Sequence, residues 1–184
     1  LVMAQGNPFV TMKHGNFQIA DDPVGLMEPS ECQVDDTVVT LLVDGVEIAQ
    51  LRIEDGKLIV ASTDPANDRL WLRFHAEPDE AVWGGGEQLS YLALNGRRFP
   101  MWTSEPGVGR DKTTALTQTM DAQGMAGGDY WTTNYPQPTF LTSRWLAVHL
   151  DAACYSALDF TDPARHVIEV WDGTATFELF AAEG

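Results

Sequence analysis

Residues 37–62 read TVVTLLVDGVEIAQLRIEDGKLIVAS. Three β-prone runs, 37–43, 46–53 and 57–62, are separated by Asp44-Gly45 and Asp55-Gly56. Asp-Gly between such runs favours a tight hairpin turn, because both central residues must take positive φ. Two such turns in succession predict a three-stranded antiparallel meander.

The same reading extends outward. RLWLRFHA (69–76) alternates, with Leu70, Leu72 and Phe74 on one face and Trp71, Arg73 and His75 on the other. TFLTSRWLAVHLD (139–151) and SALDF (156–160) continue the strand pattern. HVIEVWDGTATFELFAA (166–182) reads as a third hairpin, across Asp172-Gly173. No segment carries a strong amphipathic helical pattern. The best candidate, 112–125, has a weak apolar face (Ala115, Leu116, Met120, Ala122), and its threonines favour strand. Short strands with Gly and Asp turns and no helices predict an all-β fold, an antiparallel β-sandwich. The 184 residues fit one domain, 1–184.

Composition excludes several functions. Eleven basic against 27 acidic residues give a net charge of -16, which repels a phosphate backbone, so nucleic acid is not an expected partner. No apolar run approaches the roughly 18 residues of a membrane span, so no membrane partner is expected. The opening LVMAQGNPFV lacks the basic and apolar regions of a signal peptide, and a cytoplasmic location is the expectation. Cys32 and Cys154 are far apart, without C-x-x-C, and read as reduced, buried thiols. The histidines His14, His75, His149 and His166 are scattered, with no H-x-x-x-H, so no metal and no cofactor is expected. There is no G-x-S-x-G elbow. Neither GVGRDK (107–112) nor GGGEQL (84–89) has the spacing of a phosphate loop or dinucleotide fingerprint.

Between 83 and 138 the strand pattern breaks, and loops of that length are usually functional. Gly84, Gly85 and Gly86 suit a bulge or a close backbone approach, and Glu87 after them reads as a buried carboxylate satisfied by backbone N–H groups. Trp102, Tyr130, Trp131 and Tyr135 lie near the acids Glu105 and Asp129. Aromatic planes and carboxylates suit a sugar site or a domain interface. Glu87, Glu105 and Asp129 are candidates for a glycosidase carboxylate pair by residue type alone.

WGGGEQLSY (83–91), GRRFPMWTSEPGVGR (96–110), GGDYWTTNYPQPTFL (127–141) and ALDFTDP (157–163) resemble the N-terminal region of glycoside hydrolase family 31, the α-glucosidase family, and within it the bacterial sulfoquinovosidase branch. The likeness is strongest from Trp83 to Pro163. It implies a galactose-mutarotase-like sandwich that precedes a (β/α)8 barrel. The barrel carries the aspartate nucleophile and acid/base of a retaining α-glycosidase, and also the groups that bind the sulfonate. On this reading the chain is truncated before the barrel. Its partners are then its own catalytic barrel and, through the intact enzyme, a carbohydrate substrate. No residue here is assigned to catalysis. The family's loop over the barrel mouth falls on Trp102-Thr103-Ser104-Glu105, with Thr103 and Glu105 in place of Asn and Asp. Trp102, Glu105, Arg110 and Asp129 are the resulting candidates for the edge of the active site, and Gly84 to Glu87 for a structural loop. The alternatives are a free-standing carbohydrate-binding module and a mutarotase-like epimerase, which needs a His and a Glu in the sandwich cleft. A domain cut from its barrel is expected to expose apolar surface beside residues 84–110.

Overall fold

The computed structural model describes residues 1–13, 16–124 and 126–182; His14 lies outside them. The strands run in chain order. The first five are β1 (Val2–Gln5), β2 (Pro8–Lys13), β3 (Asn16–Asp21), β4 (Val24–Met27) and β5 (Glu31–Asp35). Then come β6 (Val38–Val43), β7 (Val46–Glu54), β8 (Lys57–Ser62), β9 (Arg69–His75), β10 (Val82–Gly86) and β11 (Arg98–Pro100). One helix, α1 (Ala115–Gly124), precedes β12 (Pro136–Thr142), β13 (Leu146–Asp151), β14 (Ser156–Asp159), β15 (Arg165–Val170) and β16 (Thr174–Ala181).

Two antiparallel sheets face each other across one core. The six-stranded sheet has the order β11-β14-β15-β9-β1-β4, and the eight-stranded sheet β10-β12-β13-β16-β8-β7-β6-β5. Alternate residues of both point inward: Leu70, Leu158 and Ile168 from the first meet Val60, Phe140, Val148 and Phe177 from the second, all fully buried. The all-β sandwich is therefore the observed fold. The meander is present as β6-β7-β8, with Asp44 and Gly45 at φ 50° and 75° and Asp55 and Gly56 at 51° and 76°.

Two local expectations fail. Strands β15 and β16 are not a hairpin: they lie in different sheets. Both edges of β15 are already taken by β9 and β14, and the Asp172 carboxylate accepts from the Thr174 N–H, bending the chain across to the other sheet. The strand pattern of 139–151 is present as two strands, β12 and β13, with the chain reversing at Ser143–Trp145, where Trp145 takes φ 61°. A helix forms at Ala115–Gly124 although its apolar face is weak. Thr114 caps it, its hydroxyl accepting from the Thr117 N–H at 3.4 Å, and Asp111 accepts from the Thr113 N–H just upstream. Capping satisfies the orphan donors of the first turn, and only Thr117 of the helix is buried. The cysteines also differ from expectation. Cys32 is exposed on the edge strand β5 and Cys154 is half-buried, both as free thiols.

A separate hairpin, β2-β3, forms a two-stranded sheet of its own. Its base is fixed by a buried ion pair, Arg69 Nε to Asp21 Oδ2 at 2.6 Å, and Asp21 Oδ1 also accepts from the Asn7 N–H at 2.8 Å. Among the described residues no helix is long and apolar enough to cross a membrane.

Candidate functional site

The glycines at 84–86 form a β-bulge. The pairing of β10 with β12 slips between Gly84 and Gly86, and all three glycines have positive φ. A Cβ on Gly84 would collide with the Thr139 carbonyl, so this backbone approach excludes any other residue. Glu87 does not fill the buried role expected of it. Its side chain is exposed, and the contact it makes is from its backbone N–H to the Tyr135 carbonyl at 2.9 Å. The bulge therefore ties 84–87 to the start of β12 without burying a charge.

The remaining candidates sit in two loops, 101–110 and 126–134, knitted together by backbone. Val108 N–H donates to the Ala126 carbonyl at 2.9 Å, Gly128 N–H to the Val108 carbonyl at 3.0 Å, and Ser104 N–H to the Thr133 carbonyl at 2.9 Å. The Thr132 hydroxyl donates to the Pro106 carbonyl at 3.0 Å. Gly128 passes so close to Pro106 that a Cβ would overlap its carbonyl. Arg110 and Asp129 belong to this knot. Arg110 Nη1 donates to the Thr132 carbonyl at 2.8 Å, and Asp129 Oδ1 accepts from the Tyr130 N–H at 2.8 Å. Glu105 is exposed on the knitted loop, with no bond to hold its carboxylate back. Of the four edge candidates it is the one whose charge is open to solvent and has no partner among the described residues.

Trp102 is part-buried and heads a run of aromatic contacts. Phe17 of β3 meets it edge-on at 5.3 Å, Tyr155 lies 6.5 Å beyond, Trp171 is 4.4 Å from Tyr155, and the Arg69 guanidinium covers Trp171 at 4.1 Å. Arg98 Nη2 pairs with Glu169 at 2.7 Å. Burial opposes the Arg98 charge, but the Glu169 carboxylate outweighs it and holds the guanidinium proton more firmly than usual. Burial likewise pushes the Tyr155 phenol above its ordinary range. Phe17, Tyr155 and the Arg98–Glu169 pair were not legible as site residues. They lie far apart in the chain, and only the pairing of β11, β14 and β15 and the packing of the β2-β3 hairpin bring them together.

Inside the sandwich a His–Glu pair does exist. His166 Nε2 is 3.5 Å from Glu80 Oε1, but the residues are 3% and 5% exposed and the imidazole sits between Phe140 and Phe160. So little of either side chain reaches the surface that the pair suits a structural role, which weighs against a mutarotase-like acid/base site there. Among the described residues no group of three or more His, Cys, Asp or Glu is placed to hold a metal ion.

No protein-family model matches the chain. It is 47% identical over 180 residues to a sulfoquinovosidase of Agrobacterium fabrum, covering 97% of this chain and 27% of that protein. It is 37% identical over 192 residues to a sulfoquinovosidase of Escherichia coli, covering 100% of this chain and 28% of that protein. Among solved structures, a family 31 sulfoquinovosidase from E. rectale, in complex with an aza-sugar inhibitor, superposes with a TM-score of 0.81 at 34% identity, over 99% of this chain and 28% of that one. The chain thus spans little more than a quarter of the relatives it matches. Along its whole length it matches the N-terminal β-sandwich of glycoside hydrolase family 31, in the sulfoquinovosidase branch.

Proposed function

We propose that this chain is the non-catalytic β-sandwich domain of a retaining α-glycosidase that cleaves sulfoquinovosides, and that its 101–110 loop borders the active site of a barrel elsewhere in the polypeptide. The observation that carries the proposal is Glu105, an exposed carboxylate with no partner among the described residues, on a loop fixed by interlocked backbone. A carboxylate so held can accept hydrogen bonds from substrate hydroxyls at little cost in ordering. The retaining reaction needs a nucleophile and an acid, carboxyls about 5–5.5 Å apart across the sugar. In this reading neither comes from this domain.

Exposed apolar surface supports a docked neighbour. Leu89, Tyr91 and Leu92 are exposed just after the bulge, and Tyr135 beside Gly86 is 71% exposed. Leu141, Ala147 and Phe180 stand in one row across β12, β13 and β16, with exposed Trp145 at the nearby turn. Apolar surface of this kind on a soluble domain marks an interface.

The test is Glu105→Gln in the polypeptide that carries both domains. The substitution keeps shape and removes charge. Loss of a charge-assisted hydrogen bond worth about 1.5–3 kcal/mol should lower kcat/KM roughly tenfold or more, with the melting temperature unchanged. Unaltered kinetics with a lowered melting temperature would assign Glu105 to the domain interface instead.

A further inference from the structure

The β2-β3 hairpin, the Trp102 loop and α1 enclose a cavity of about 350 Å³, within the size range of small-molecule sites. Its walls are aromatic: Phe17, Trp102, Trp131 and Tyr155. Its charged groups are already neutralised by the domain itself. Lys112 Nζ donates to both oxygens of Asp121, at 2.8 and 2.6 Å, and to the Gly127 carbonyl at 2.9 Å. Arg98 is committed to Glu169. An ionic ligand would find no unpaired counter-charge here.

What remains for a ligand is neutral. Ser104 and Gln18, both uncharged and polar, are among the lining residues. The Trp102 indole N–H is sealed from solvent and has no acceptor among the described residues. A buried donor left unpaired costs about 1–3 kcal/mol, which an incoming acceptor would remove. Phe17, which leans on the indole edge-on, is 37% exposed. For a ligand to reach the N–H, the cavity wall beside it must move, and a shift of the Phe17 ring would be the kind of rotamer change that binding commonly brings.

We infer that this cavity binds one neutral, polyhydroxylated group, either an uncharged pyranose ring or a glycerol-like polyol. An aromatic wall covers its C–H face, and one of its oxygens accepts from Trp102 Nε1. Glu105, Arg110 and Asp129 do not line the cavity, so the site stands independently of the role proposed for Glu105.

Titration of the 15N-labelled chain, read on the tryptophan indole N–H resonances, tests this. The probes are methyl α-glucopyranoside, glycerol and sulfoquinovose. The Trp102 resonance, assigned by its loss in Trp102→Phe, should move with a neutral probe at millimolar concentration. Response to the glycoside alone identifies a sugar site, and response to glycerol as well a polyol site. Sulfoquinovose should bind at least about fivefold more weakly than the better neutral probe, since no charge awaits it. Trp102→Phe keeps the aromatic wall and should weaken binding about tenfold, followed on backbone resonances that also report its fold. A Trp102 resonance unmoved by either neutral probe, or tighter binding of sulfoquinovose, overturns the proposal. Neither result bears on Glu105→Gln kinetics.

Discussion

Two buried ionic contacts set how single residues act on stability. Asp21 and Arg69 form a nearly dry pair whose Asp also holds the Asn7 N–H. Asp21→Asn leaves the guanidinium only its contacts to Asp68, whose carboxylate is half exposed, and losing the buried partner of such a pair costs about 3 kcal/mol. Chemical denaturation should show that loss; a change under 1 kcal/mol (roughly the value of an exposed pair) would mean the hairpin base is open to water. His166 and Glu80 predict a pH dependence. Burial lowers the His166 pKa below 6.5 despite the nearby Glu80, so the unfolded chain takes up that proton first. Burial works to raise the Glu80 pKa, but hydrogen bonds from Thr142 and from the Glu77 N–H, together with His166, bring it below 4.5. Both shifts have the same sign. Stability should fall as pH drops below about 6.5, and fall again below about 4.5, toward the depressed Glu80 value. His166→Phe should flatten the upper part of a melting-temperature profile. A profile that stays steep between about pH 5 and 6.5 in that variant would place its cause elsewhere.

At the scale of elements, the glycines of the turns and of the bulge make a graded comparison. Gly56 has φ 76° with nothing near its missing Cβ, so Gly56→Ala should cost only the left-handed penalty, about 1 kcal/mol. Gly84 has φ 123° and backbone against it, so Gly84→Ala should cost about 3 kcal/mol and disturb the β10-β12 pairing. Equal costs would show that the bulge is soft. These elements also show what a sequence can tell. The meander was legible because Asp-Gly turns act locally, through φ alone. Asp172-Gly173 misled, because whether two strands pair depends on which sheet edges are free, and β15 has none. The helix was missed because its stability rests on the Thr114 and Asp111 caps rather than on a buried face.

For the whole molecule, the two sheets and their common core follow from alternating patterns, and the family motifs pointed to the loop that carries Glu105. The cavity had no such signal. Phe17, Trp102 and Tyr155 become neighbours only when the hairpin folds back on the sandwich, and no periodicity records that contact. The loop knot, the apolar surface and the sealed His–Glu pair support a domain that shapes a site without performing the chemistry. Hydrolysis without a nucleophile and a positioned acid loses its main catalytic terms. The most direct measurement is release of the aryl group from aryl α-sulfoquinovoside and aryl α-glucoside. It should be made on the purified 184-residue chain and, in parallel, on the polypeptide that also carries the barrel. The chain should show only the uncatalysed rate, and the longer polypeptide should turn over the sulfoquinovoside. Turnover by the 184-residue chain alone would contradict the non-catalytic role proposed for it.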